Sequence, residues 1–339
     1  MNVAVVILNY NGRSYLEQFL PTVIKYSTEA EVYVIDNAST DNSVDYLQKH
    51  YPNVKLVLNK SNGGFAQGYN EGLESICADI YVLLNSDVEV SEGWLKAPTK
   101  LLAENNEIVA VQPKILAFHD KSQFEHAGAA GGFLDRNYFP FCRGRIFQEV
   151  EKDEGQYDDE KEVFWASGAC LFIKAQDFHQ MNGFDADFFA HMEEIDLCWR
   201  LKRQGRKIYY TGKSVVYHVG GGTLNYDNPK KTYLNFRNSL FMIIKNHDGI
   251  LFPKLMWRMF LDGLAALIFL VKFQFAHFGA VFKAHMSTYA QLKRFLHKRK
   301  SLETKAKDPL TGLYNGNITF KKFLSGVNSF NQLDSDKFL

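Results

Sequence analysis

This sequence predicts an α/β fold: a mostly parallel sheet flanked by helices, followed by a helical C-terminal extension that is apolar and basic. Three observations predict it. Over the first 84 residues, apolar runs of strand length alternate with segments of helical spacing. Polar residues gather where each run ends, as Asn9-Tyr10-Asn11, Asp36-Asn37, Asn59 and Asn85-Ser86-Asp87. After residue 250 the chain turns apolar, aromatic and basic.

Residues 3–8, 32–35, 54–58 and 80–84 are the strands, and 14–25, 43–50 and 65–77 the helices between them. The strands are apolar throughout, which suits a parallel sheet buried on both faces. In such sheets ligands bind beyond the carboxyl ends of the strands, where the polar clusters fall. Residues 119–162 are rich in Gly, charge and aromatics, and read as a long, partly irregular insertion, a candidate acceptor loop or lid. Residues 164–173 return as a strand and 193–204 as a helix. Two short strands at 207–210 and 215–217 and a helix at 233–245 follow.

At 339 residues, 46% hydrophobic, the chain can bury a large core. Its net charge of +1 hides a split. Residues 251–339 carry fourteen Lys and Arg against five Asp and Glu, and the rest of the chain is net acidic. The tail is therefore expected to meet something anionic. The stretch 259–271 contains Asp262 and is shorter than the ~20 residues a spanning helix needs. Amphipathic helices at a membrane surface are expected, followed by the basic run from Lys293 to Lys300. Packing of this region on the core or on a second subunit is the alternative. No nucleic-acid-binding fold is recognisable, so no nucleic-acid partner is expected. Four scattered cysteines and an N-terminus without a basic n-region point to a reducing, cytoplasmic location.

Several tempting motifs fail. Gly212-Lys213-Ser214 has Lys207 where a phosphate-binding loop needs glycine, and the segment 62–68 lacks dinucleotide-binding spacing. Other residues carry more. Asp87 ends a buried strand, where it is either a helix N-cap or a ligand for Mg²⁺ or Mn²⁺. Asp36 ends the second strand, as a turn residue or as acceptor for a pyrimidine N–H. Glu193, Glu194 and Asp196 open a helix and gain from its dipole. Asp196 also pairs with Arg200 at i,i+4. Glu194 shares its stripe with Cys198 and Leu201, so burial pushes its pKa up toward that of a useful base while the helix dipole pulls it down, and the sequence fixes no net value. His218 precedes three glycines and can complete a metal site. Trp165 is either the wall of a sugar pocket or core.

The segments 5–12, 34–41, 62–66, 83–87, 183–185, 193–196 and 218–221, in this order, resemble family 2 inverting glycosyltransferases of GT-A fold. Within them, the rhamnosyltransferase-like branch of bacterial surface-polysaccharide enzymes is the nearest. The resemblance implies a nucleotide-diphospho-sugar donor, a saccharide or lipid-linked acceptor, a divalent metal, and work at the cytoplasmic face of the bacterial inner membrane. It implies that Tyr10 and Asp36 hold the base and ribose and that Asn62 and Gly64 line the nucleotide. Asp87 matches the last position of an Asp-x-Asp metal motif, His218 a histidine of the metal site and Glu194 the catalytic base. Two positions depart. Asn85 replaces the first acid of Asp-x-Asp and is counted with the donor-binding residues, and the base is Glu where Asp is usual, so Glu193 competes for the role. Residues 1–245 are expected to form the transferase domain, with a nucleotide-binding half (1–118) and an acceptor half (119–245), and 246–339 the extension. An oligomer is compatible. A non-catalytic sugar-nucleotide-binding or scaffold subunit is the alternative that Asn85 motivates.

Overall fold

The computed structural model describes residues 1–220, 228–302 and 310–339. Gly221 and Gly222 of the glycine run lie outside them. The strands in chain order are β1 (Val3–Asn9), β2 (Glu31–Asp36), β3 (Lys55–Leu58), β4 (Ile80–Asn85), β5 (Val88–Val90), β6 (Ile108–Ala117), β7 (Gly132–Asp135), β8 (Pro140–Cys142), β9 (Arg145–Ile146), β10 (Glu149–Val150), β11 (Glu160–Val163), β12 (Cys170–Lys174), β13 (Lys207–His218) and β14 (Leu313–Tyr314). The helices are α1 (Arg13–Tyr26), α2 (Ser43–His50), α3 (Gly64–Leu73), α4 (Lys96–Glu104), α5 (Ala175–Gln180), α6 (Glu193–Arg203), α7 (Pro229–Asn246), α8 (Leu251–Val271), α9 (Phe275–Ser301) and α10 (Ile318–Ser325).

The main sheet runs β11-β13-β6-β12-β4-β1-β2-β3, with β5 against β13. β3, β2, β1 and β4 are mutually parallel, as are β6 and β13. β12 lies antiparallel between β4 and β6. Alternation along β1 explains its apolar run: Val3, Val5 and Ile7 face a layer holding Leu16 and Leu20 of α1, while Ala4 and Val6 face one holding Tyr69 of α3. Both faces are covered, so no polar residue is tolerated until Asn9.

Four features differ from expectation. The stretch 119–162 is not an irregular lid: β7–β10 form a second sheet in the order β10-β9-β8-β7-β14. Its strands are two to four residues long, too short for periodicity to show, and its last strand comes from the far end of the chain. The two short strands after α6 are one strand, β13, with a register shift between Thr211 and Val215. β5 and β6 frame the site although neither was expected. The C-terminal part is also stitched in rather than appended. Phe295 of α9 stacks on Phe241 of α7 at 3.8 Å between ring centroids. Lys298 and Arg294 of α9 pair with Asp185 and Asp187, and Asp135 accepts from the Ile318 N–H at 3.0 Å. No helix among the described residues is long and apolar enough to cross a membrane.

Candidate active site

β4 ends at Asn85, the chain turns through Ser86-Asp87, and β5 pairs antiparallel with the end of β13, placing Val88 opposite His218. The Val219 N–H closes this corner on the Asp87 carbonyl at 3.0 Å. His218 Nε2 therefore stands 3.2 Å from Asp87 Oδ1, and its Nδ1 stands 3.3 Å from Glu125 Oε2. Asn85 Nδ2 lies 3.4 Å from the same Nε2. All but Asn85 are buried. Burial alone lowers the pKa of His218, but the Glu125 and Asp87 carboxylates outweigh it and push the imidazole up to about 10.

A divalent metal fits this corner. Two ligands about 2.1 Å from one ion and at right angles stand roughly 3 Å apart, as Asp87 Oδ1 and His218 Nε2 do. Glu125 on the other ring nitrogen is the carboxylate that orients a ligating histidine. Among the described residues no group of three or more His, Cys, Asp or Glu side chains forms a complete cage. Asp87 and His218 are the two side chains here that would hold such an ion. The neighbourhood of Glu125 carries no motif that would have revealed it.

On the nucleotide side, Tyr10 is exposed just beyond β1. The Asp36 carboxylate is buried and accepts from Asn9 Nδ2 at 3.0 Å and from the Ser39 N–H at 2.9 Å, so each oxygen keeps only one further lone pair for a base. Asn62 Oδ1 accepts from Asn37 Nδ2 at 3.0 Å and from the Gly64 N–H at 2.9 Å. Gly64 has φ +81°, and a Cβ there would stand 2.5 Å from the Phe189 carbonyl oxygen. That carbonyl accepts from the Phe65 and Ala66 N–H groups. The N-terminus of α3 is thus closed by a loop of the other half, and Gly64 serves that contact.

The same loop leads to the acids of α6. Phe189, His191 and Met192 all hold positive φ, a strain that must be stabilised by surrounding contacts. Asn238 of α7 supplies them, its Nδ2 lying 2.7–2.9 Å from the carbonyls of Phe188, Ala190 and His191. Glu193 and Glu194 each keep one buried carboxylate oxygen with no hydrogen-bond partner. Burial, and then Glu194, pushes Glu193 well above the usual carboxylate range. Burial also raises Glu194, to about 7, against the pull of the backbone N–H groups of 192, 194 and 195. Glu194 is partly open whereas Glu193 is buried. A chain of contacts joins α6 to the metal corner. Cys198 touches the Ala166 backbone, Ser167 Oγ donates to the Ala127 carbonyl, and the Ala127 N–H donates to Glu125.

Two expected site residues are structural. Asp196 is fully buried and binds Arg200 and Lys245 at 2.8 Å and Asn246 at 2.7 Å. Although burial opposes it, Lys245 and Arg200 hold its pKa low, and its carboxylate is committed to these partners. Trp165 lies in the core between the two sheets, its Nε1 donating to the Phe133 carbonyl at 3.0 Å. It packs so tightly on Gly132 that a Cβ there would come within 2.0 Å of the indole. It is no wall of a sugar pocket.

A mixed α/β sheet of this order, with its polar crevice at the strand ends, is the fold of GT-A glycosyltransferases. GalNAc-T7, solved with UDP, GalNAc and Mn²⁺, superposes with a TM-score of 0.62 at 15% identity, over 90% of this chain and 55% of its own. This chain thus spans about half of GalNAc-T7. The mannosyltransferase PcManGT of Pyrobaculum calidifontis, with GDP-Man and Mn²⁺, gives 0.53 at 14% identity, over 89% of this chain and 84% of its own. More particularly, the chain belongs to glycosyl transferase family 2, whose family model matches residues 4–175. It is 25% identical over 272 residues to the N-acetylglucosaminyl-diphospho-decaprenol L-rhamnosyltransferase of Mycobacterium tuberculosis, covering 75% of this chain and 88% of that one. It is 23% identical over 219 residues to rhamnosyltransferase WbbL of Escherichia coli, covering 61% and 80%.

Proposed function

We propose that this protein is an inverting glycosyltransferase of cell-envelope polysaccharide synthesis. Its donor is a nucleotide-diphospho-sugar of the dTDP-rhamnose or UDP-sugar kind, and its acceptor a saccharide or lipid-linked glycan at the cytoplasmic face of the inner membrane. The names of the relatives support the class of acceptor and sugar. One observation carries the chemistry: Glu194 holds an unpartnered buried carboxylate oxygen and a pKa raised to about 7, on a helix joined through Cys198, Ser167 and Ala127 to the Asp87–His218 corner.

Glu194 takes the proton of an acceptor hydroxyl. The hydroxyl oxygen forms its bond to the anomeric carbon as the bond from that carbon to the diphosphate oxygen breaks on the opposite face. One such displacement inverts configuration and leaves the proton on Glu194 and the electron pair on the diphosphate. Asp87 and His218 would hold Mg²⁺ or Mn²⁺, which would neutralise the leaving group's charge when bound. Asn85 contributes an amide where a second carboxylate is usual, which removes one negative charge from the site. That substitution favours a non-catalytic donor-binding subunit as the second reading.

The test is nucleoside diphosphate release from dTDP-, UDP- and GDP-sugars with Mg²⁺ or Mn²⁺, with a lipid-linked acceptor extract. Release from one donor, abolished in Glu194→Gln while nucleotide binding persists, is expected. Binding without release in the parent establishes the second reading.

A further inference from the structure

Helix α8 is amphipathic in an unusual sense, because its outer face is as apolar as its inner one. Leu255 and Met259 are buried against the body, and Arg258 is bonded to Asp262 at 2.9 Å. On the opposite side Phe252, Trp257, Phe260, Leu264, Ile268 and Val271 recur every three to five residues and are all exposed, from 43% at Trp257 to 77% at Val271. Phe273 and Phe275 continue the stripe around the turn into α9. A soluble surface rarely carries so continuous an apolar face.

Charge indicates what covers it. From residue 251 to 301 the sole carboxylate is Asp262, which is fully buried, whereas the same stretch carries nine Lys and Arg. Lys272 and Lys283 are exposed beside the stripe, and Lys293 and Lys300 lie further along α9. A second protein copy would gain nothing from the exclusion of every exposed acid, but an anionic lipid surface requires it. Next to Trp257 a cleft of about 620 Å³ lies between α8 and α10, lined by Arg136, His247 and Lys254 on one side and Phe320 on another. Arg136 and Lys254 beside the Trp257 and Phe320 rings suit a lipid phosphate with its first methylenes. α8 is held to the body by its buried face and by Lys254 Nζ, which donates to the Arg136 carbonyl at 2.6 Å. With one face so held, only the outer face of α8 is free to meet a partner.

We propose that the outer face of α8, the α8–α9 turn and Phe320 form a docking surface for an anionic lipid leaflet, with α8 parallel to the membrane plane. This deepens the membrane location put forward above and stands apart from the transfer chemistry.

The test uses the full chain with phosphatidylcholine vesicles with and without phosphatidylglycerol, read by co-sedimentation and tryptophan emission. Trp94, Trp165 and Trp199 are buried, so a shift in emission reports Trp257. Binding to the anionic vesicles with a blue shift is expected, falling at least about tenfold in 0.5 M salt and in the Phe260→Glu/Ile268→Glu variant. That variant alters only exposed side chains and keeps the parent's thermal melt and donor hydrolysis. Absence of vesicle binding while donor hydrolysis is intact overturns the proposal and spares the transferase reading. A parent dimer that the same substitutions dissociate, without vesicle binding, assigns the face to a second copy and also overturns it.

Discussion

Asp87 and His218 meet at 3.2 Å because a three-residue strand, β5, pairs with the last residues of β13. The pairing makes two distant segments into one two-ligand corner, and Glu125 fixes the imidazole from behind. Asp87→Ala is expected to abolish metal-dependent nucleotide binding. Glu125→Gln, which acts only through the His218 ring, is expected to weaken Mn²⁺ affinity about 10–100-fold. Calorimetric titration of nucleoside diphosphate with and without Mn²⁺ checks both, and an unchanged Glu125→Gln would remove its orienting role.

Turnover is expected to rise with pH through about 7, as Glu194 loses its proton. The limb should vanish in Glu194→Gln together with activity. A pH–rate profile at saturating donor reads it.

The same residue predicts a stability effect of opposite sign. Its pKa is raised from the ordinary 4.5, so its contribution to stability is whole below 4.5 and is lost as pH rises through about 7. Glu194→Gln removes that loss. The variant is expected to match the parent at pH 4 and to exceed it by up to about 3 kcal/mol at pH 8. Denaturant unfolding at the two pH values measures the difference.

Asn238→Ala leaves the carbonyls of Phe188, Ala190 and His191 without their shared donor. A cost of about 1–3 kcal/mol is expected. A fall in kcat should accompany it, because the strained loop leads into Glu194, and any change in donor KM reports its Phe189 contact with Gly64. Thermal melts and steady-state kinetics separate the two effects.

Trp165→Phe loses the bond to Phe133 and part of the packing on Gly132. A loss of about 1–3 kcal/mol in stability with an unchanged donor KM is expected. A raised KM at unchanged stability would restore Trp165 to the sugar pocket.

Much of the architecture was legible because it is local. The apolar runs of β1, β2 and β4 mark strands buried on both faces, and Asn9, Asp36 and Asn85 mark where they emerge. Glu194 stood out by its place on an inward-facing stripe of α6. Asp196 has the same residue type and helix, yet Lys245 and Asn246 of α7 claim it, and nothing near residue 196 announces them. Glu125, Asn238 and the second sheet were illegible for the same reason.

The sequence by itself determined β1 to β4 with the helices between them, the polar residues at their ends and the acidic opening of α6, since each follows from side-chain periodicity within a few residues. Only the tertiary structure decided that Asp87 finds His218, that Asp196 and Trp165 are scaffold, and that an apolar face of α8 remains uncovered. Those outcomes depend on strand register and helix docking between residues far apart in the chain, and no local pattern specifies which buried group will meet which partner.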